Sequence, residues 1–293
     1  MKSGFIGIIG RPNAGKSTLL NSLIGEKIAI MTDKPQTTRD IIRGIKTTDD
    51  TQYIFVDTPG IHKPKHKLGA SMNSDSYSTI NEVDLVYYMF DSNTKFGSGD
   101  EFVINQLKNS DIPVFLILNK VDLIKKDDLM NLITELNNKY NFAEVIPISA
   151  LNNDNISKLL EVTKNYLNDS VQYYPSEQNK EYTEDFIISE IVREKIINLT
   201  QEEIPHSIAV VTENLKVSEK NLKVSVLIIV ERDSQKGIII GKQGSMLKRI
   251  RNASLSELQV RYNKRVYLEM YVKVEKDWRN NPNKIKKYNL NEV

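Results

Sequence analysis

The chain has 293 residues, 40% of them apolar, with a formal net charge of +2, three histidines and no cysteine. That length fills two domains with a core each, and the lack of cysteine excludes a disulfide framework and any Cys-based metal site, which fits a reducing cytoplasm. His62, His66 and His206 are scattered outside any metal-ligand spacing, and no apolar run approaches the ~18 residues of a membrane span, so a soluble chain without a signal peptide is expected.

The apolar run 5–9 predicts a first strand, and Gly10-Arg11-Pro12-Asn13-Ala14-Gly15-Lys16-Ser17-Thr18 then opens a helical stretch that ends near Ile24. Strand, glycine-framed loop and helix in that order form the setting of a phosphate-binding P-loop. Successive backbone N–H groups and the helix N-terminus face negative charge, Lys16 reaches the outer phosphates and Ser17 can ligate Mg²⁺.

Three further motifs follow, each at a strand's carboxyl end. Residues 53–56 lead into Asp57-Thr58-Pro59-Gly60, where Asp57 is placed to hold the Mg²⁺ shell and Gly60 to offer its N–H to a γ-phosphate. Residues 114–118 lead into Asn119-Lys120-Val121-Asp122. The Asp122 carboxylate accepts two hydrogen bonds from guanine N1–H and its 2-amino group, donors that adenine lacks there, which specifies GTP with a discrimination of about 10⁴. Residues 145–148 lead into Ser149-Ala150-Leu151, which supplies a backbone N–H for guanine O6.

Strand runs (5–10, 53–56, 83–90, 114–118, 145–148) alternate with helical segments (17–25, 100–109, 127–139, 156–167) over the first half. This pattern predicts an α/β domain with a doubly wound, mostly parallel sheet that binds its ligand at the strand ends. The turn-prone stretch 173–181 interrupts the alternation, so the boundaries are set at 1–170 for a GTPase domain, 171–184 for a linker, 185–280 for a second domain and 281–293 for a tail.

Charge divides the same way. Residues 1–179 hold 19 Lys+Arg against 22 Asp+Glu, and residues 180–293 hold 21 against 16. Between Lys236 and Arg265 there are eight basic residues and one acid, Glu257, the footprint of a polyanion-binding surface. Here the order is helix (185–199), strand (207–213), strand (222–231), an Ile238-Ile239-Ile240 helix start, Gly241-Lys242-Gln243-Gly244, helix (245–262) and strand (265–273). A GXXG loop between two helices is the means by which KH domains clamp about four nucleotides, through close backbone approach. Lys236, Gly237, Ile240, Gly241, Lys242, Gln243, Gly244, Lys248 and Arg249 are the candidate RNA contacts.

With Pro35-Gln36-Thr37-Thr38-Arg39, Asp57 to Gly60 continued by Ile61-His62-Lys63-Pro64, and Val230-Glu231-Arg232-Asp233-Ser234-Gln235-Lys236-Gly237, almost the whole chain resembles the bacterial Era GTPase family, a P-loop GTPase joined to a type II KH domain. The resemblance implies a role in small ribosomal subunit assembly, with the KH domain gripping rRNA near its 3′ end under GTP and releasing it on hydrolysis. It also implies a monomer, cytoplasmic, with a peripheral fraction at the membrane. Mg²⁺ would be held by Ser17 and a switch threonine, Thr37 or Thr38, with similarity favouring Thr38, and by Asp57 through water. Lys16, Thr38, Asp57 and Gly60 form the catalytic set. Ile61 stands where related enzymes carry a water-orienting Gln, so intrinsic hydrolysis is expected to be slow. Asn13 is either a ligand for K⁺ near the phosphates or a turn residue. An RNA chaperone in which GTP is a structural ligand is the alternative function.

Overall fold

The computed structural model describes residues 1–32, 41–59, 67–70, 72, 82–108, 110–200 and 204–288. Thr37, Thr38, Gly60 and Ile61 lie outside them. The chain divides into two compact units, with the break between Glu181 and Tyr182.

The first unit is built on six strands, β1 (Lys2–Gly10), β2 (Ile42–Thr47), β3 (Thr51–Asp57), β4 (Leu85–Asp91), β5 (Val114–Asn119) and β6 (Glu144–Pro147), in the order β2-β3-β1-β4-β5-β6. All neighbours are parallel except β2 and β3. Helices α1 (Lys16–Ile24), α2 (Ser98–Leu107), α3 (Lys126–Asn137) and α4 (Ile156–Tyr166) connect them. A parallel sheet is covered on both faces, which is why its strands read as unbroken apolar runs. On one face Val103, Ile104 and Leu107 of α2 and Leu132 and Leu136 of α3 pack on Tyr88, Phe90, Leu116 and Leu118. On the other, the rings of Tyr53, Phe55, Tyr87, Phe115 and Tyr166 follow one another from β3 to α4. The Tyr87 hydroxyl meets Thr163 Oγ1 of α4 at 2.5 Å there. Leu19, Leu20 and Leu23 of α1 are fully buried, each contributing about 1.5–3 kcal/mol.

Strand β2 was not among the predicted elements. Its sequence, IRGIKT, mixes charge and glycine, and it is held by pairing with β3 rather than by its own propensity. Within the stretch 171–184, read as a linker, residues 171–181 lie against the first unit. The buried Gln52 side chain accepts from Tyr173 N (2.8 Å) and Tyr174 N (3.0 Å) and donates to Tyr174 O (2.8 Å). Ile45 N then donates to Asn179 O (2.9 Å), and Arg43 pairs with Glu181 (2.7 Å). The segment is thus a strap fastened to the first unit along β2.

The second unit runs through α5 (Glu184–Leu199), α6 (Ile204–Ser207), β7 (Ala209–Val217), β8 (Asn221–Val230), α7 (Asp233–Ile240), α8 (Ser245–Tyr262), β9 (Arg265–Val274) and α9 (Pro282–Tyr288). Thr183 caps α5 by accepting from Phe186 N, which starts the helix at the predicted place. The sheet order is β7-β8-β9, with β7 antiparallel and β9 parallel to β8. Residues 238–240 end α7 rather than begin it. That helix starts at Asp233, where the Gln235 side chain accepts from Glu231 N and Arg232 N. Residues 282–288, expected in a tail, form α9, because Trp278, Ile285 and Tyr288 are buried and Trp278 Nε1 donates to Ser207 O at 3.0 Å. Among the described residues no helix is long and apolar enough to cross a membrane.

Candidate nucleotide site and nucleic-acid interface

The loop after β1 turns sharply into α1 through Gly15, whose φ is +96°. A Cβ there would lie 2.2 Å from the Asn119 amide nitrogen, so both conformation and space demand glycine. Asn119 earns that proximity. Its Nδ2 donates to Ala14 O (2.8 Å) and its Oδ1 accepts from Ala150 N (3.0 Å), so one side chain holds the P-loop, the β5 motif and the 149–151 loop together.

Lys16 is buried and its ammonium donates to the carbonyls of Gly10 (3.2 Å) and Arg11 (3.1 Å). Burial lowers its pKa from the ordinary lysine value, and the Asp57 carboxylate opposes that shift. Ser17 Oγ donates to Asp57 Oδ2 at 2.7 Å. A hydroxyl and a carboxylate converging at a helix N-terminus offer oxygen donors only, the set a hard divalent cation such as Mg²⁺ accepts, with its remaining positions left to water and phosphate. Thr58 is fixed by hydrogen bonds from its N and Oγ1 to Ile8 O (3.4 and 3.0 Å), and Pro59 follows it.

On the base side, Lys120 adopts φ +63° and its ammonium pairs with Asp91 Oδ2 at 2.6 Å. Asp122 is exposed in the 3₁₀ turn Val121–Leu123, which Val121 N anchors to Ile148 O (3.2 Å). Ser149 and Ala150 are buried and Leu151 is exposed. The P-loop residues Gly10 to Thr18, the described part of the 57–60 motif, Asn119, Lys120, Asp122 and residues 149–151 are therefore gathered at one edge of the sheet. Asp91 and Asp100, which hold Lys120 and Arg11, were not singled out from sequence. A carboxylate at a strand end and one at a helix start carry no local mark of a partner many residues away.

In the second unit, Gly241 to Gly244 form a tight turn between α7 and α8, with Gly241 N bonded to Gly237 O (2.8 Å) and Gly244 N to Gly241 O (3.2 Å). Lys242, Gln243, Lys248 and Arg249 are exposed, Lys236 and Ile240 half-buried, and Gly237 open to solvent. Ile238 is exposed beside them while Ile239 is fully buried. The arrangement offers backbone amides, basic side chains and a small apolar surface around one loop.

Comparison with known families and structures gives the same division. Residues 5–120 match the family described as 50S ribosome-binding GTPase, and residues 203–279 match the KH domain family. Two solved structures each superpose with a TM-score of 0.95 at 37% identity, covering 99% of this chain and 99% of theirs. One is a point variant of Era from Aquifex aeolicus bound to GDP and AlF₄⁻, and the other is Era in complex with MgGDPNP and nucleotides 1506–1542 of 16S ribosomal RNA. The 50S description belongs to a model of the GTPase segment alone, whereas the two structures match from end to end. At that identity and coverage, the chain belongs to the Era family of GTPases.

Proposed function

We propose that this chain hydrolyses GTP to GDP and phosphate as a switch that governs its grip on small-subunit rRNA near the 3′ end, and so promotes small ribosomal subunit assembly. The observation that supports this most is the Asn119 side chain, which joins phosphate loop and base loop at distances of 2.8 and 3.0 Å in a chain whose other unit carries the GXXG turn.

In this reading the N–H groups of the loop 10–17 and the Lys16 ammonium bind the outer phosphates, and Gly60 N–H binds the γ-phosphate. Asp122, Ser149, Ala150 and Leu151 hold guanine. Ser17, Thr38 and, through water, Asp57 would hold Mg²⁺, which when bound offsets phosphate charge as it builds on the leaving group. The aliphatic Ile61 neither orients nor deprotonates a water, so turnover is slow until a partner or RNA supplies what is missing. Asn13 binds K⁺ near the phosphates, and Lys236, Gly237, residues 240–244, Lys248 and Arg249 contact RNA. The protein works as a cytoplasmic monomer with a peripheral fraction at the membrane.

The test compares full-length protein loaded with a non-hydrolysable GTP analogue or with GDP, titrated against a single-stranded oligonucleotide from the rRNA 3′ end. A tighter complex with the GTP analogue is expected. Equal affinities would remove the switch and favour an RNA chaperone with GTP as a structural ligand, because a ligand without differential affinity shifts nothing.

A further inference from the structure

The sheet of the second unit has a face turned away from its helices. On the helix side Leu222, Val224, Val226 and Ile228 of β8 and Val266 and Leu268 of β9 are all buried. The alternate residues face outward. Where α9 packs on β7, the outward pair Ala209 and Ile229 is buried too. Toward the start of β8 and β9 the face is open.

That open part has a defined composition. Strand register places Lys216, Lys223 and Tyr267 side by side across all three strands, with Arg265 next to Tyr267 on β9. Lys223 Nζ lies 5.8 Å and Arg265 Cζ 5.2 Å from the Tyr267 ring centre. Lys216, Lys223 and Arg265 have no ion pair among the described residues. Tyr267 is 41% and Tyr271 53% exposed. Four residues apart on one strand, the two rings are about 13 Å from each other. Glu269 lies between them and accepts from Tyr271 Oη at 3.1 Å, and the Glu213 carboxylate of β7 also acts on Tyr271, so the basic part of the face is the Tyr267 end.

We propose that this face is a second contact for single-stranded RNA, in which bases stack on Tyr267 and Tyr271 while Lys216, Lys223 and Arg265 meet the phosphates. An exposed ring flanked by cations without an ion pair, with a second exposed ring farther along the same strand, is what a base-stacking platform requires. A lipid surface calls instead for large aliphatic or tryptophan side chains among the lysines, and here the neighbouring Leu227 is half-buried. The inference rests on the proposed RNA function and extends it. The GXXG turn joins α7 and α8, which pack on the other face of this sheet, so an RNA that meets both the turn and the open face must pass around the sheet and be longer than the roughly four nucleotides held at the turn.

Full-length protein is titrated against an oligonucleotide of about 4 nucleotides from the rRNA 3′ end and one of about 16 that contains it. The variant carrying Lys223→Gln, Tyr267→Ala and Tyr271→Ala is expected to bind the long RNA at least about thirtyfold more weakly, with a salt slope smaller by about 0.7 for the lost lysine, and to bind the short one like wild type. Unchanged binding to the long RNA would overturn the proposal and leave the face to a protein partner; equal weakening on both lengths would overturn it as a folding effect. The underlying reading fails separately, if Gly244→Asp leaves binding of the short oligonucleotide intact.

Discussion

The Arg11 guanidinium donates to Asp100 Oδ2 at 2.9 Å and so ties the second residue of the phosphate loop to the first turn of α2. Asp100 is almost fully buried and also accepts from Tyr88 Oη (3.1 Å) and from Gly97 N (3.0 Å). The carbonyl of the same Arg11 accepts from the Lys16 ammonium. A buried carboxylate outside the nucleotide motifs therefore fixes the residue against which Lys16 leans.

Asp100→Ala leaves the Tyr88 hydroxyl and the Gly97 N–H without their acceptor, at a cost of about 1–3 kcal/mol. Urea denaturation should show that loss in one transition of this two-unit protein. Equilibrium GTP binding should weaken by about tenfold, or ~1.4 kcal/mol, if the tether positions Lys16. Unchanged GTP affinity in a destabilised protein would make Asp100 purely structural.

Base reading by Asp122 predicts that Asp122→Asn exchanges GTP for XTP preference, a swing of about 10⁴. Competition of unlabelled XTP and GTP against a fluorescent guanine nucleotide measures it. Retained GTP affinity with no gain for XTP would remove Asp122 from the base site.

Asn13 has φ +66°, a conformation that asparagine tolerates and glycine adopts freely. Asn13→Gly thus removes the amide while keeping the turn, which alanine would strain. Hydrolysis by the wild type should be roughly tenfold faster in K⁺ than in Na⁺, about 1.4 kcal/mol of barrier. The variant should show no difference between the salts. Equal wild-type rates in both would leave Asn13 as a turn residue.

The two glycines of the GXXG turn are not equivalent. At Gly241 (φ +72°, ψ 173°) a Cβ would meet Met246 N and Cβ at 2.8 Å, whereas at Gly244 (φ +76°, ψ 13°) nothing lies within 4 Å. Gly241→Ala should therefore destabilise by at least the ~1–3 kcal/mol of a disfavoured backbone region. Gly244→Asn, suited to the left-handed helical region, should melt near the wild type. Gly244→Asp is for the same reason the variant in which RNA binding can be lost without loss of fold. Thermal melts of the two substitutions, compared side by side, check the order.

Glu275 is flanked by Lys273 (3.0 Å) and Lys284 (2.7 Å), and the hydrogen bond from Lys284, then that from Lys273, lowers its pKa to about 2. A carboxylate whose folded pKa is depressed stabilises above its unfolded value, near 4.5, and loses that contribution as pH falls toward 2. Glu275→Gln should lower the melting temperature at pH 7, less so in high salt, and the difference should shrink as pH falls from about 4.5 through about 2. A constant difference across that range would assign the effect to packing of α9 instead.

Much of the molecule is legible from local pattern. Residues 245–262 form a helix as expected, because Gly244 and Asn263 at its two ends adopt the left-handed conformation that stops helices. The parallel strands are legible because burial on both faces demands unbroken apolar runs, and the four nucleotide motifs because each sits where such a run ends. Strand β2, the strap 171–181 and α9 were not legible. Their backbone groups and side chains are satisfied by partners far away in sequence, as when Gln52 takes up Tyr173 and Tyr174, or Ser207 O takes up Trp278.

By itself, then, the amino-acid sequence determined which chemistry the chain carries, since P-loop, base reader and GXXG turn each depend on residue types at short fixed spacings. Only the tertiary structure decided what holds those residues in place: Asn119 between two loops, Asp100 behind Arg11, Asp91 behind Lys120. It also decided which face of the β7-β8-β9 sheet stays open, with Lys216, Lys223 and Tyr267 in one row. The physical reason is that hydrogen bonds, ion pairs and strand register act through space over a few ångströms, between residues whose separation along the chain leaves no local trace.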